Sequence, residues 1–137
     1  MSSSKRQKNE WRGGDTYLHR RDDTDRHLWI VLSEPSLNAA KVVVANLTSL
    51  EPYKEQLCIV DPGEHTYVTK RSCVYYRFAH CLRLEYLEER EVRKEIERLA
   101  PLSPALLARV RNGASQSLHM PTEVWDIVES QDLIDPF

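Results

Sequence analysis

The chain has 137 residues, of which 41% are hydrophobic and 29% charged, and its formal net charge is -2. That make-up belongs to one globular domain and excludes a coiled-coil rod, a collagen-like fibre and a fully disordered chain. The longest uncharged apolar run, residues 28–32, falls far short of the roughly 20 residues a membrane span needs, and the opening MSSSKRQKNE has no apolar core of a secretory signal.

Residues 1–10 are polar and are predicted to be disordered. Trp11-Arg12-Gly13-Gly14-Asp15 opens the folded part, and Thr16-Tyr17-Leu18 reads as a first short strand. A charged loop, residues 19–26, leads to the strongest strand signal. Residues 27–33 are short, β-branched and aromatic, and Glu34-Pro35 stops them. Residues 41–48 form a valine-rich strand. Residues 57–60 read as a shorter strand ended by the turn Asp61-Pro62-Gly63-Glu64, and residues 65–68 as another. From Ser72 to Leu82 the pattern alternates, with Val74, Tyr76, Phe78, His80 and Leu82 on one face. A period of two over eleven residues predicts a long half-buried strand, with His80 as a core histidine. No helical pattern separates these strands, so the sheet is expected to be mostly antiparallel.

The remainder reads as helical. Leu84, Leu87, Val92, Ile96 and Leu99 sit near helical spacing, with Glu89 and Arg93 as a favourable i,i+4 pair. Ala100-Pro101 ends that helix. A second helix starts with Ser103 as N-cap and Pro104 at the first position, and stops at Asn112-Gly113. Residues 120–137 carry Glu123, Asp126, Glu129, Asp132 and Asp135 with no Lys or Arg, which leaves 19 basic and 16 acidic side chains, a balance of +3, for residues 1–119. This end reads as an acidic tail over a basic face, or as a short helix with Val124, Trp125 and Val128 as its apolar stripe. The expected organisation is therefore a disordered 1–10, one domain over 11–119 and the acidic end 120–137. The fold class expected is mainly β with C-terminal helices, an α+β arrangement.

Cys58, Cys73 and Cys81 are odd in number and contain no CxxC pair, so they read as reduced, packed thiols of a cytoplasmic protein. Walker A, GxGxxG, HExxH, GxSxG and EF-hand patterns are absent, and the histidines and cysteines do not fall at metal-ligand spacing. No metal or cofactor is expected.

The order of the motifs resembles the PemK/MazF family of toxin endoribonucleases. The matching pieces are the Trp-Arg-Gly-Gly-Asp opening in residues 11–17, the apolar strand in 27–35, and the valine-rich strand ending in Thr48-Ser49 in 41–49. The basic-Ser step into a strand follows in 70–74, and a Leu-Ser-xx-Leu-Leu-xx-Val helix in 102–110. They span residues 11–113. The resemblance implies a small antiparallel SH3-like barrel, a homodimer, a cognate antitoxin partner and metal-independent cleavage of single-stranded RNA. Where the family carries its catalytic arginine followed by proline, this chain has His27 and Leu28; Arg26 lies one residue earlier. The stretch 84–99 is also longer than the family's usual connection.

Cleavage of RNA without metal needs a base for the 2′-hydroxyl, an acid for the leaving oxygen and positive charge near the phosphorane. Histidine as a residue type serves as either acid or base near neutrality. If residues 27–33 and 41–48 form an antiparallel hairpin, opposed residues sum to about 75 and His27 faces Thr48, side chains roughly 5 Å apart. His65, after the Pro-Gly turn, reads as an accessible loop histidine, and Arg77 as a cation on the same strand face as Tyr75. The expected catalytic set is His27, Thr48, His65 and Arg77. The expected RNA-binding set is Arg20, Arg21, Arg26, Ser49, Lys70, Arg71, Ser72 and Tyr75, with arginine pairing phosphate and tyrosine stacking a base. A catalytically silent barrel that binds nucleic acid or protein is the alternative, favoured by the departure at His27 as the survival of Thr48 favours the ribonuclease.

Overall fold

Six strands and three helices make up the computed structural model, which describes residues 10–20 and 27–133. They follow one another as β1 (Thr16–His19), β2 (Trp29–Val31), β3 (Val42–Ser49), β4 (Ile59–Val60), β5 (Ser72–Leu82), α1 (Leu84–Val92), β6 (Ile96–Leu99), α2 (Pro104–Gln116) and α3 (Thr122–Ser130). The sheet order is β4-β5-β3-β2-β1-β6 and every pairing is antiparallel. The chain is thus mainly β, an α+β half-barrel; no ladder joins the end strands β4 and β6 among the described residues.

The valine run of β3 has a plain cause: both faces of the strand are covered. Val43, Ala45 and Leu47 point into a core closed by Leu106, Val110 and Ala114 of α2 and by Val124 and Val128 of α3. Val42 and Val44 point the other way, into a second core with Trp11, Tyr17, Val31, Leu87 of α1 and Ile96. A strand buried on both faces has no polar side, so it reads as a continuous apolar run rather than an alternating one. The β2–β3 register sums to 75, as expected, with Trp29 opposite Asn46 and Val31 opposite Val44.

The Trp-Arg-Gly-Gly-Asp opening braces the second core. Arg98 lies over the Trp11 ring at 3.8 Å, Asp15 accepts from the Arg12 amide at 2.8 Å, and Gly14 takes a φ of 92° that a side chain would strain.

Four expectations need correction. First, residues 96–99 are not the end of a helix but the strand β6, which pairs with β1 from Thr16 opposite Leu99 to His19 opposite Ile96. The helix stops because Lys94 adopts a φ of 61°, and the hydrogen bonds of the β1 edge then fix the next four residues as strand. The spacing of Ile96 and Leu99 suits a helix, but Ile96 enters the second core and Leu99 packs against the first. Second, α2 does not stop at Gly113; it runs to Gln116. The position within the helix is glycine because a Cβ there would lie 2.3 Å from the Tyr76 hydroxyl. The other end is as read, with Ser103 Oγ accepting from the Leu106 amide at 3.1 Å and Pro104 in the first turn.

Third, residues 65–68 form a turn, closed by the Val68 amide donating to the His65 carbonyl at 3.0 Å, and not a strand. Fourth, the alternation of β5 breaks. Tyr75 opposes Asn46 while His80 opposes Val44, so the single residue Ala45 faces four residues of β5. The irregularity resets the phase: Val74 and Tyr76 face the first core, then Ala79 and Cys81 do, and Phe78 and His80 turn outward. His80 is therefore an exposed histidine packed edge-on to Trp29, not a core one.

The acidic end is the packed helix α3. Val124 and Val128 are buried, Glu123 pairs with Lys41 at 3.0 Å, and the Gln131 side-chain oxygen accepts from the Glu34 amide at 2.7 Å. Asp135 lies outside the described residues, as do residues 1–9 of the segment expected to be disordered. Glu10, the last of that segment, is tied in by Arg98, which donates to its carbonyl at 2.7 Å. Cys58 and Cys73 are buried and Cys81 half-buried, all as thiols, and burial raises the pKa of each above the ordinary value. Among the described residues no helix is long and apolar enough to cross a membrane.

Candidate functional site

A cleft of about 540 Å³ opens where the end of β3 meets the start of β2 and the loop of residues 66–70. Two hairpins make it. The β2–β3 register carries His27 and Leu28 up to Leu47, Thr48 and Ser49, and the β3–β5 register sets Ser72 opposite Ser49. His27 Nδ1 lies 3.0 Å from the Leu47 carbonyl. A carbonyl only accepts, so in the neutral ring the proton sits on Nδ1 and the lone pair on Nε2. Thr48 Oγ1 accepts from Lys54 Nζ at 2.7 Å, and the same ammonium donates to the Ser49 carbonyl at 3.2 Å. The hydroxyl proton of Thr48 is thereby left for another acceptor. Lys70, Thr66, Tyr67 and Thr69 form the loop wall, and Ser72 Oγ donates to the Lys70 carbonyl at 3.0 Å, bending the loop into β5.

The lining is chemically one-sided. Among the described residues it contains a histidine, a lysine and the hydroxyls of Thr48, Ser49, Thr66, Tyr67, Thr69 and Ser72, and no carboxylate. Hydroxyls and ammonium groups donate to phosphate oxygens, whereas a carboxylate would repel them.

Of the expected catalytic set, His27 and Thr48 share this cleft. His65 does not join them and is not accessible: it is 6% exposed. Its Nδ1 accepts from the Tyr67 amide at 3.0 Å, so Nε2 carries the proton, which it donates to the Ala100 carbonyl at 2.6 Å. Thr16 Oγ1 donates to the same carbonyl at 2.7 Å. The ring ties the turn after β4 to the link between β6 and α2, a structural role. The composition of the turn suggested exposure; only the fold shows that Ala100 covers it.

Arg77 stands elsewhere too. With Tyr75 it lines a separate recess of about 150 Å³, completed by Tyr53, Lys54, Glu55 and His119. Arg77 lies 3.2 Å from His119 Nδ1. The shared face of Tyr75 and Arg77 is as expected.

Among the expected RNA-binding residues, Ser49, Lys70 and Ser72 line the cleft and Tyr75 the recess. Arg71 turns outward and pairs with Asp61 at 2.7 Å. Arg20 is exposed beyond β1, its amide donating to the Glu95 carbonyl at 2.9 Å, and it lines neither cavity. Arg21 and Arg26 lie outside the described residues. Sequence reasoning missed Lys54, which lies in a turn with no pattern of its own; its signal was the Tyr53-Lys54 pair, an aromatic beside a cation. Among the described residues no group of three or more His, Cys, Asp or Glu side chains is placed to hold a metal ion. Neither a family model nor a curated protein matches this chain.

Proposed function

We propose that the protein is a metal-independent endoribonuclease that cleaves single-stranded RNA in the cleft lined by His27, Thr48, Ser49 and Lys70. The observation that carries the reading is the composition of that cleft among the described residues: one histidine, one ammonium group and several hydroxyls, with no carboxylate. In this reading His27 Nε2 takes the proton of the 2′-hydroxyl. The 2′-oxygen attacks phosphorus and the 5′-oxygen leaves, which forms a 2′,3′-cyclic phosphate. Thr48 and Ser49 hydroxyls donate to the phosphorane oxygens, and the Lys70 ammonium supplies positive charge and the proton for the leaving oxygen.

The half-barrel and the motif order support a finer placement: an SH3-like barrel of the PemK/MazF type, acting as the toxin of a type II toxin–antitoxin pair, as a homodimer with a cognate antitoxin protein. His27 then stands where that family has arginine, with Lys70 as the cation that position lacks. His65 and Arg77 have no part in the chemistry.

The test is incubation of the purified protein with a long RNA in EDTA, with mapping of the ends. Discrete cuts ending in cyclic or 3′-phosphate, slowed on the order of 10²–10⁴-fold in His27→Ala, are expected. RNA bound but left intact would make the protein a silent binding module. No binding and no cleavage would overturn both readings.

A further inference from the structure

The recess beside the cleft carries an arrangement the cleavage chemistry does not use. Tyr53 is 80% exposed and Phe78 is 55% exposed, large values for aromatic rings. Phe78 owes its position to the irregularity in β5, which turns it outward and sets its ring 4.6 Å from that of Tyr75. Lys54 Nζ lies 5.7 Å from the centre of the Tyr53 ring and 5.8 Å from that of Tyr75. Arg77 and His119 stand at the rim. The one carboxylate among the described lining residues, Glu55, accepts from Ser117 Oγ at 2.7 Å and from the Leu118 amide at 3.1 Å. Exposed rings with cations between and beside them form a surface on which a flat base stacks while its phosphates meet positive charge. Lys54 also reaches the cleft, through its hydrogen bond to Thr48.

We propose that Tyr53, Tyr75 and Phe78 form a stacking subsite for one unpaired nucleobase of the RNA strand whose phosphate lies in the cleft, with Lys54 joining the two. The inference rests on the RNA-cleavage reading above and adds to it a base-binding position about one nucleotide away from the phosphate. Because stacking tolerates every base, the subsite selects for single-stranded RNA rather than for a sequence. A duplex, whose bases are already stacked on each other, is refused.

The experiment compares the full chain with Tyr53→Ala, Phe78→Ala and Lys70→Ala for binding to a short single-stranded RNA and to the matching abasic sugar-phosphate oligomer. The two aromatic side chains are exposed, so both variants are expected to fold, which circular dichroism checks. Each aromatic variant is expected to lose about five- to a hundredfold in affinity for RNA. Both should bind the abasic oligomer as the parent does, while Lys70→Ala weakens binding to both oligomers. If the aromatic variants bind RNA like the parent while Lys70→Ala weakens it, the subsite is wrong and the cleft reading stands. If the parent binds neither oligomer, the cleft reading itself fails and the subsite with it. If Phe78→Ala converts a dimer to a monomer with no change in RNA affinity, the aromatic surface is a protein contact and the subsite is overturned.

Discussion

Gly113 shows how one neighbouring atom can decide which residue a helix position holds. Glycine costs a helix interior about 1 kcal/mol relative to alanine, so its presence there needs a packing cause. Here the cause is Tyr76, fully buried, whose hydroxyl donates to the Val110 carbonyl at 2.6 Å and cannot retreat. Gly113→Ala is expected to destabilise the protein by about 1–3 kcal/mol despite the better helix propensity. In denaturant titrations, Tyr76→Phe in the same chain should recover part of that loss; equal losses in the two backgrounds would count against the steric account. Glu64 sets a second residue-scale effect. Arg109 and the Asp61 amide hold its carboxyl below the ordinary 4.5. A depressed carboxyl stabilises fully above its unfolded pKa and loses that contribution as pH falls towards the folded value. The partners are partly exposed, so the effect is about 0.5 kcal/mol. Glu64→Gln should therefore narrow its stability gap to the parent as pH drops below 4.5, measured by urea midpoints at several pH values.

Among the elements, α3 and α2 carry the clearest expectations. The acidic charges of α3 suggested a removable tail, but Val124 and Val128 are buried against β3 and β5. Burying one such side chain contributes about 1.5–3 kcal/mol, a large share of a typical domain's net stability. Deleting residues 122–137 should lower the thermal midpoint sharply or abolish the transition. An unchanged midpoint would return α3 to the status of a solvated tail. At the start of α2, Ser103→Ala removes the oxygen that accepts from the Leu106 amide and should cost about 1 kcal/mol. The elements themselves were largely legible. Turn residues and β-branched runs marked β2, β3 and β5, and Ser103-Pro104 marked α2. The segment 96–99 was not, because its helical spacing competes with a vacant β1 edge that exists only once the sheet has formed.

For the whole molecule, a net charge of -2 goes with a cleft that has no carboxylate among its described lining residues. Many acids are held elsewhere: Glu34 by Arg111, Glu64 by Arg109, Glu91 by Arg98, Glu123 by Lys41 and Glu95 by Arg90. Local charge, not net charge, then governs an anionic ligand. If RNA binds in the cleft, log affinity should fall linearly with log salt, and Lys70→Ala should reduce the slope by about 0.7, the share of one contact to a single-stranded phosphate. A slope unaltered by that substitution would place the phosphate away from Lys70.

The amino-acid order by itself determined what depends on neighbours close in the chain. It specified the strand-rich first part and the capped start of α2. It also specified the β2–β3 register that sets His27 beside Thr48, because β2 and β3 are consecutive in the chain and a one-residue slip would turn their apolar faces away from the core. Tertiary structure alone decided the rest. Whether His65 is open or covered depends on Ala100, 35 residues away. Which way Phe78 and His80 face depends on an irregularity opposite Ala45. Lys54 reaches Thr48 only because the turn after β3 folds back on the strand. Burial and long-range pairing are properties of the assembled sheet, and no local pattern encodes them.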